Sequence, residues 1–223
     1  MKTAVVTGAN RGIGLGLTKK LLESGYVVHS TFRSSLGGLS AIENDNLKTH
    51  KMDVRDENSI ITLSESIEGN IDLLINNAGV ADGRWQSISE IDIDHSLEVF
   101  HINSLGPILI TQKLLHKLKY GSKILMMSSL MGSISDCRSG KSYAYRASKT
   151  ALNMLSIAMK NELDAAGISI MIIHPGWVET DMGGPNAPLS VGESIDGIMD
   201  RIVEQNLGLS GRYVEYDGSL IEW

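Results

Sequence analysis

Residues 3–14 read TAVVTGANRGIG, a short β-branched run that passes straight into three glycines before a segment of helical period begins. Everything downstream depends on what this stretch is. Gly8 lets the chain turn sharply off a strand, where a Cβ would collide. Gly12 and Gly14 let the backbone and the start of the helix approach a ligand closely. The helix dipole and its free N–H groups favour an anion there, and the pyrophosphate of a dinucleotide is the anion that such units hold. The spacing G-x-x-x-G-x-G is one residue longer early on than the common dinucleotide fingerprint. Three glycines after a strand can also form a plain strand-to-helix turn, so the rest of the chain has to choose between the two.

Outward from the loop, β-rich runs alternate with helical segments. Strands are predicted at 3–7, 26–32, 47–53, 71–76, 122–129, 168–174 and 212–216, and helices at 12–24, 56–68, about 92–118, 145–166 and 190–206. The glycines of 34–46 leave that region open. Several strands, such as IDLLIN (71–76) and ISIMIIH (168–174), are nearly continuous apolar runs, as parallel strands covered on both faces require. The βαβ alternation without linker or repeat predicts one α/β domain over residues 1–223. Its architecture is a Rossmann-type doubly wound sheet of seven mostly parallel strands with helices on both faces. Ligands in such sheets bind beyond the carboxyl ends of the strands, which directs the search for chemistry.

Composition narrows the partners. A formal net charge of −6 with no block of Lys or Arg disfavours nucleic acid and anionic membrane, which both need a basic footprint. Hydrophobic residues at 42% and charged residues at 21% describe a soluble globular chain. Cys137 is the only cysteine, which excludes an internal disulfide and a cysteine-built metal site and fits a reducing, cytoplasmic setting. The first apolar run is too short for a signal peptide, and no stretch reaches the ~18 apolar residues of a membrane span. His29, His50, His95, His101 and His116 lack metal-ligand spacing, and His174 reads as a strand-end residue, so no metal is expected.

The strand ends carry the candidate site. The second strand ends STFRSS, with Arg33 and no acid to bond a ribose 2′-hydroxyl, and Arg11 in the glycine loop is a second cation. Two positive charges suit a 2′-phosphate, so NADP(H) is expected over NAD(H), with NAD(H) the alternative. Both arginines can equally be solvated surface residues. Asp53, after the third strand, can accept from an adenine amino group or simply cap a helix. Asn76, Asn77, Ala78 and Gly79 form a small turn past which a flat ring could slide. The fifth strand ends in MSSLMG, placing Ser128 or Ser129 at its carboxyl end. Tyr145 and Lys149 follow at i, i+4 on one helical face, whereas Tyr143 has no such lysine. A tyrosine titrates near pH 10 unless perturbed, and an adjacent ammonium with a cationic nicotinamide ring should lower that value enough for proton transfer. Asn103 lies mid-helix in FHINSLGPI, and Pro107 cannot donate to its carbonyl, which predicts a local distortion able to hold a water.

Taken together, TGANRGIG, NNAG, HINSLGP, the SS before LMG, YRASK and HPGWVETDM resemble the short-chain dehydrogenase/reductase family over essentially the whole chain. Within it the chain is similar to the branch of sniffer-like carbonyl reductases and C-factor-type signalling proteins. The resemblance implies a catalytic set of Asn103, Ser129, Tyr145 and Lys149. It implies cofactor contacts from Gly8, Asn10, Arg11, Gly12, Ile13, Gly14, Arg33, Asp53, Asn77, Ala78, Gly79, Tyr145 and Lys149, and further along from Val178 and Thr180. Trp177, Met182 and a short segment around 181–190 would form a lid, and its small size implies a small carbonyl or alcohol substrate. The reaction implied is NADPH-dependent reduction of a ketone or aldehyde, or oxidation of the alcohol. A sugar-nucleotide epimerase would need a larger C-terminal region, while a dinucleotide-binding signalling protein with little turnover is the rival from another class. The family also implies a homo-dimer or tetramer, paired through the helices that carry Leu109, Leu114, Leu152, Leu155 and Met159.

Overall fold

A computed structural model of the protein describes residues 1–82 and 86–223. Seven strands form one sheet: β1 Thr3–Val6, β2 Val27–Phe32, β3 Leu47–Lys51, β4 Ile71–Asn76, β5 Leu118–Met127, β6 Ser169–His174 and β7 Tyr213–Glu215. Their order is β3-β2-β1-β4-β5-β6-β7, and every neighbouring pair is parallel. The order reverses between β1 and β4, so the crevice for a ligand opens at their carboxyl ends.

Alternation along the strands divides the core. Ala4, Val6, Leu73 and Ile75 face α1 Gly12–Glu23 and α6 Val191–Glu204, which contribute Leu17, Leu21, Ile195 and Ile198. Val5, Leu74, Ile124 and Ile172 face the opposite way. There they meet Ile60 and Leu63 of α2 Glu57–Ser66, Ile110 and Leu114 of α4 Gly106–Leu114, and Leu152 of α5 Tyr143–Leu163. Burial on both sides explains why these strands read as unbroken apolar runs. Among the described residues no helix is long and apolar enough to cross a membrane.

Three local predictions need correction. The segment predicted as one helix over 92–118 is α3 Ile93–Phe100, a π-helical turn His101–Leu105 and then α4. Pro107, which has no N–H for the carbonyl of Asn103, sits just after that turn. β5 starts at Leu118 rather than 122, because its first residues pair with Ile71 across an irregular register. α5 starts at Tyr143, two residues early, after Lys141 and Ser142 adopt left-handed φ values of 71° and 50°. Region 34–46 holds only a short 3₁₀ turn, Gly37–Ala41. The side chains predicted to meet a second subunit largely face inward: Leu114 and Leu152 are buried, and Leu109 and Met159 pack against the same core. The apolar residues left exposed on these helices include Leu97, Leu105 and Met154.

Candidate active site

A cleft of about 660 Å³ runs along the carboxyl ends of the strands, from Arg33 and Asp53 past the glycine loop to Tyr145, Lys149 and Met182. Gly8, Asn10, Arg11, Gly12, Ile13, Gly14, Asn77, Ala78, Gly79 and Thr180 also line it. Of the predicted residues, Asn103, Ser129 and Val178 lie behind its wall. Val178 is buried, and its carbonyl accepts from the Thr180 hydroxyl at 3.3 Å.

At the glycine-loop end the backbone does the shaping. Gly8 has φ +64°, and a Cβ there would stand 2.9 Å from the Ala78 Cα. The loop is stapled from the next strand. Thr7 Oγ1 accepts from the N–H groups of Asn77 and Ala78 at 3.0 and 2.9 Å, and Asn77 Nδ2 donates to the carbonyls of Thr7 and Gly8 at 2.8 and 3.1 Å. The Asn77 side chain therefore holds the loop rather than a ligand. Thr31, which sequence reasoning did not single out, accepts from Gly8 N through its hydroxyl and from Ala9 N through its carbonyl. α1 begins at Gly12 with no side-chain cap and no acid in its first turn. Its leading N–H groups are therefore open to an anion, and these residues fit the pyrophosphate of a dinucleotide.

The charged candidates behave differently from one another. Arg33 is exposed and has no hydrogen bond or ion pair among the described residues. Arg11, expected beside the same ribose, forms an ion pair with Asp181 at 2.8 Å. Asp53 is gripped by Arg55, which donates to both carboxylate oxygens at 3.0 and 2.7 Å and holds the group down at about 2. Most of its accepting capacity is thus already used, which weakens the adenine role predicted for it.

At the other end the polar groups are buried side chains. Lys149 is buried, donates from Nζ to the Met127 carbonyl at 2.8 Å and lies 5.7 Å from the centre of the Tyr145 ring. Burial pulls its ammonium down to about 8. For Tyr145 the protein by itself works against the expected lowering, because burial pushes the phenol up. A hydrogen bond with Ser129 opposes that push, and the Asp82 carboxylate adds to it. Lysine and tyrosine at i, i+4 share a face, but a face turned inward loses water, and that loss disfavours the phenolate.

The two serines separate cleanly. Ser128 donates to Asn153 Oδ1 at 2.5 Å, while Ser129 meets Tyr145 and caps the turn Leu130–Gly132 by accepting from Met131 N at 3.2 Å. Asn103 is fully buried in the π-helical turn. Its Oδ1 accepts from Val80 N at 2.9 Å, and its Nδ2 donates to Val80 O at 2.9 Å and Ser148 Oγ at 3.1 Å. Gly79 lets these groups close up, since a Cβ there would lie 3.2 Å from Asn103 Oδ1 and 3.6 Å from Lys149 Nζ. His174 is driven down to about 4 by burial and stays neutral at the strand end.

Residues 2–188 match the short chain dehydrogenase family. The chain is similar to the C-signal of Myxococcus xanthus, with 40% identity over 157 residues that span 70% of this chain and 94% of that protein. Its fold is similar to that of the carbonyl reductase Sniffer of D. melanogaster, with a TM-score of 0.94 and 31% identity over 100% of both chains. It is also similar to the NADPH-bound carbonyl reductase from chicken fatty liver, with a TM-score of 0.92 and 31% identity over 100% of this chain and 99% of that one. The match over residues 2–188 and the likeness in fold show that the chain belongs to the short chain dehydrogenase family of oxidoreductases.

Proposed function

We propose that the protein is an NADPH-dependent carbonyl reductase for small ketones or aldehydes. One observation carries the reading: Tyr145, hydrogen-bonded with Ser129, stands at one end of a cleft whose other end is the glycine loop. NADPH, when bound, supplies the hydride. The open N–H groups of α1 would hold its pyrophosphate, Arg33 its 2′-phosphate, and the backbone near Val178 its carboxamide. At the far end, the Ser129 and Tyr145 hydroxyls would both hydrogen-bond the substrate carbonyl oxygen, and Tyr145 would give it a proton as the alcohol forms. Burial pushes the phenol up, so it is in its protonated form to act as the proton donor in reduction. Lys149 brings a buried ammonium to the same wall, and Asn103 fixes Val80 beside it. The relatives crystallised as carbonyl reductases, one of them with NADPH, support this reading.

A second reading is supported by the name of the Myxococcus xanthus relative: a dinucleotide-binding signalling protein with little turnover. NADPH oxidation over a panel of small carbonyl compounds separates the two. Tyr145→Phe is expected to cut turnover by about 10²–10⁴-fold with an unchanged NADPH dissociation constant. Tyr143→Phe, which lacks a lysine at i+4, should keep most activity. NADPH binding without turnover of any panel member would favour the signalling reading.

A further inference from the structure

The wall behind Ser129 comes from a distant part of the chain. Tyr213, on β7, is 2% exposed, and its hydroxyl donates to the Ser129 backbone carbonyl. The Asn153 and Ser128 side chains lie within hydrogen-bond reach of the same phenol, which burial pushes up to about 12, so it remains a donor at any working pH. Trp223 stacks on the Tyr213 ring with centroids 5.3 Å apart. Its carbonyl oxygen accepts from Ser135 N at 2.9 Å and Ser135 Oγ at 2.7 Å, and the Glu222 carbonyl accepts from Ser133 Oγ at 2.6 Å. Ile221 N closes the strap by donating back to Tyr213 O at 2.9 Å. Residues 221–223 therefore tie the segment just after Ser129 to β7.

We propose that Tyr213 and Trp223 are positioning residues for Ser129: Tyr213 sets where the serine backbone sits, and Trp223 holds both Tyr213 and residues 133–135 in place. The inference rests on the reading that Ser129 orients the substrate oxygen. A hydroxyl that must meet both Tyr145 and a substrate tolerates little drift, because a misplacement of about 1 Å can lower a rate by about 10²-fold. Ser129 is fixed locally by its cap to Met131 N and by Gly132 N, which donates to its carbonyl at 2.8 Å, while the Tyr213 hydroxyl, on the same carbonyl, ties that turn to β7. Loss of that bond leaves the carbonyl held by Gly132 N of its own turn alone, while the ring and its stack survive.

The test uses the full chain with NADPH and one accepted carbonyl substrate, with rates normalised to NADPH-binding stoichiometry. Tyr213→Phe should lower kcat by about ten-fold with NADPH affinity unchanged. It should also move the pH limb of Tyr145 upward, because the Ser129 bond that draws that phenol down is loosened. Trp223→Ala should raise KM for the carbonyl about five-fold or more, and Trp223→Phe, which keeps a stacking ring, should restore it. Ser129→Ala provides the reference. If Ser129→Ala is inactive while Tyr213→Phe matches the parent in kcat and pH profile, the positioning role is overturned and the reductase reading stands. The role is equally overturned if both Trp223 variants keep the parent KM, a result that can be read even if Tyr213→Phe does not fold. If Ser129→Ala turns over like the parent, the role proposed for the serine itself fails.

Discussion

At the glycine-loop end of the cleft the defining contacts run through backbone, whereas at the Tyr145 end they run through buried side chains. Gly8, the N–H groups of Asn77 and Ala78, and the uncapped start of α1 shape the first end. The second is shaped by Lys149, Asn103, Ser148, Ser129 and Tyr213, all with polar atoms taken out of water. Backbone groups keep fixed partial charges and need no protonation state, so the first end is neutral in its effect on pH. The second carries titratable groups whose positions in the fold change their chemistry. On the function proposed above, the first is the recognising end and the second the reacting end, and the cost of burying polar groups falls on the second.

Lys149→Met strains that contrast most. Turnover is expected to fall about 10²-fold or more, and NADPH to bind more weakly if the ammonium also serves the ribose. Stability should respond in the opposite sense to pH. The folded ammonium titrates at about 8 against 10.5 for the free side chain, because burial disfavours its charge. Its burial thus destabilises the fold fully below pH 8, and the penalty fades as pH rises towards 10.5. Relative to the Met variant, the parent should gain roughly 2–3 kcal/mol between about pH 7 and pH 10. Urea unfolding of both proteins at the two pH values measures it, and parallel pH dependence would show that Lys149 is not held in a dry site.

Arg33→Ala probes the recognising end with a smaller expected effect. With Arg11 engaged by Asp181, Arg33 is the cation left facing the mouth of the cleft beside Asp53. The parent should prefer NADPH over NADH by about ten-fold or more, about 1.4 kcal/mol, and the variant should lose most of that difference. Equal dissociation constants in the parent would remove the basis for NADPH selection.

The smallest effect is expected where the two ends touch. Asp181 and Arg11 are 75% and 72% exposed in their side chains, so their ion pair contributes little to stability. Its interest lies in competition, since the carboxylate occupies a cation that a phosphate could use. Asp181→Asn should tighten NADPH binding by about two- to five-fold at low salt, and the gain should vanish near 1 M salt. Fluorescence titrations at both salt levels check this, and weaker binding at low salt would mean that Asp181 instead holds the lid over the nucleotide.

What the sequence made legible follows the same division. The glycine loop, the acid-free end of β2 and the Tyr145–Lys149 spacing are local patterns, and each lies where expected. Pro107 announced a distortion next to Asn103 because a missing N–H is written into one residue. Arg11 with Asp181 and Ser129 with Tyr213 were not legible, since 170 and 84 residues separate the partners and no short-range pattern links them. The burial of Tyr145 was not legible for a related reason: spacing places two side chains on one face but does not say how much water that face keeps.

The distance between Ser129 and Tyr213 also has a meaning in time. A ribosome adding about 5–20 residues per second makes the tyrosine roughly 4–17 s after the serine. The glycine loop and the Asn77 staple, by contrast, lie within the first 77 residues. In the growing chain the glycine loop and its staple are thus made long before the Tyr213 hydroxyl can reach the carbonyl of Ser129. During that interval Ser133 and Ser135 have no strap to bond, and the loop they belong to stays open to proteases and chaperones. Synonymous codon changes that slow translation between 129 and 213 would lengthen that exposure without altering one atom of the finished protein.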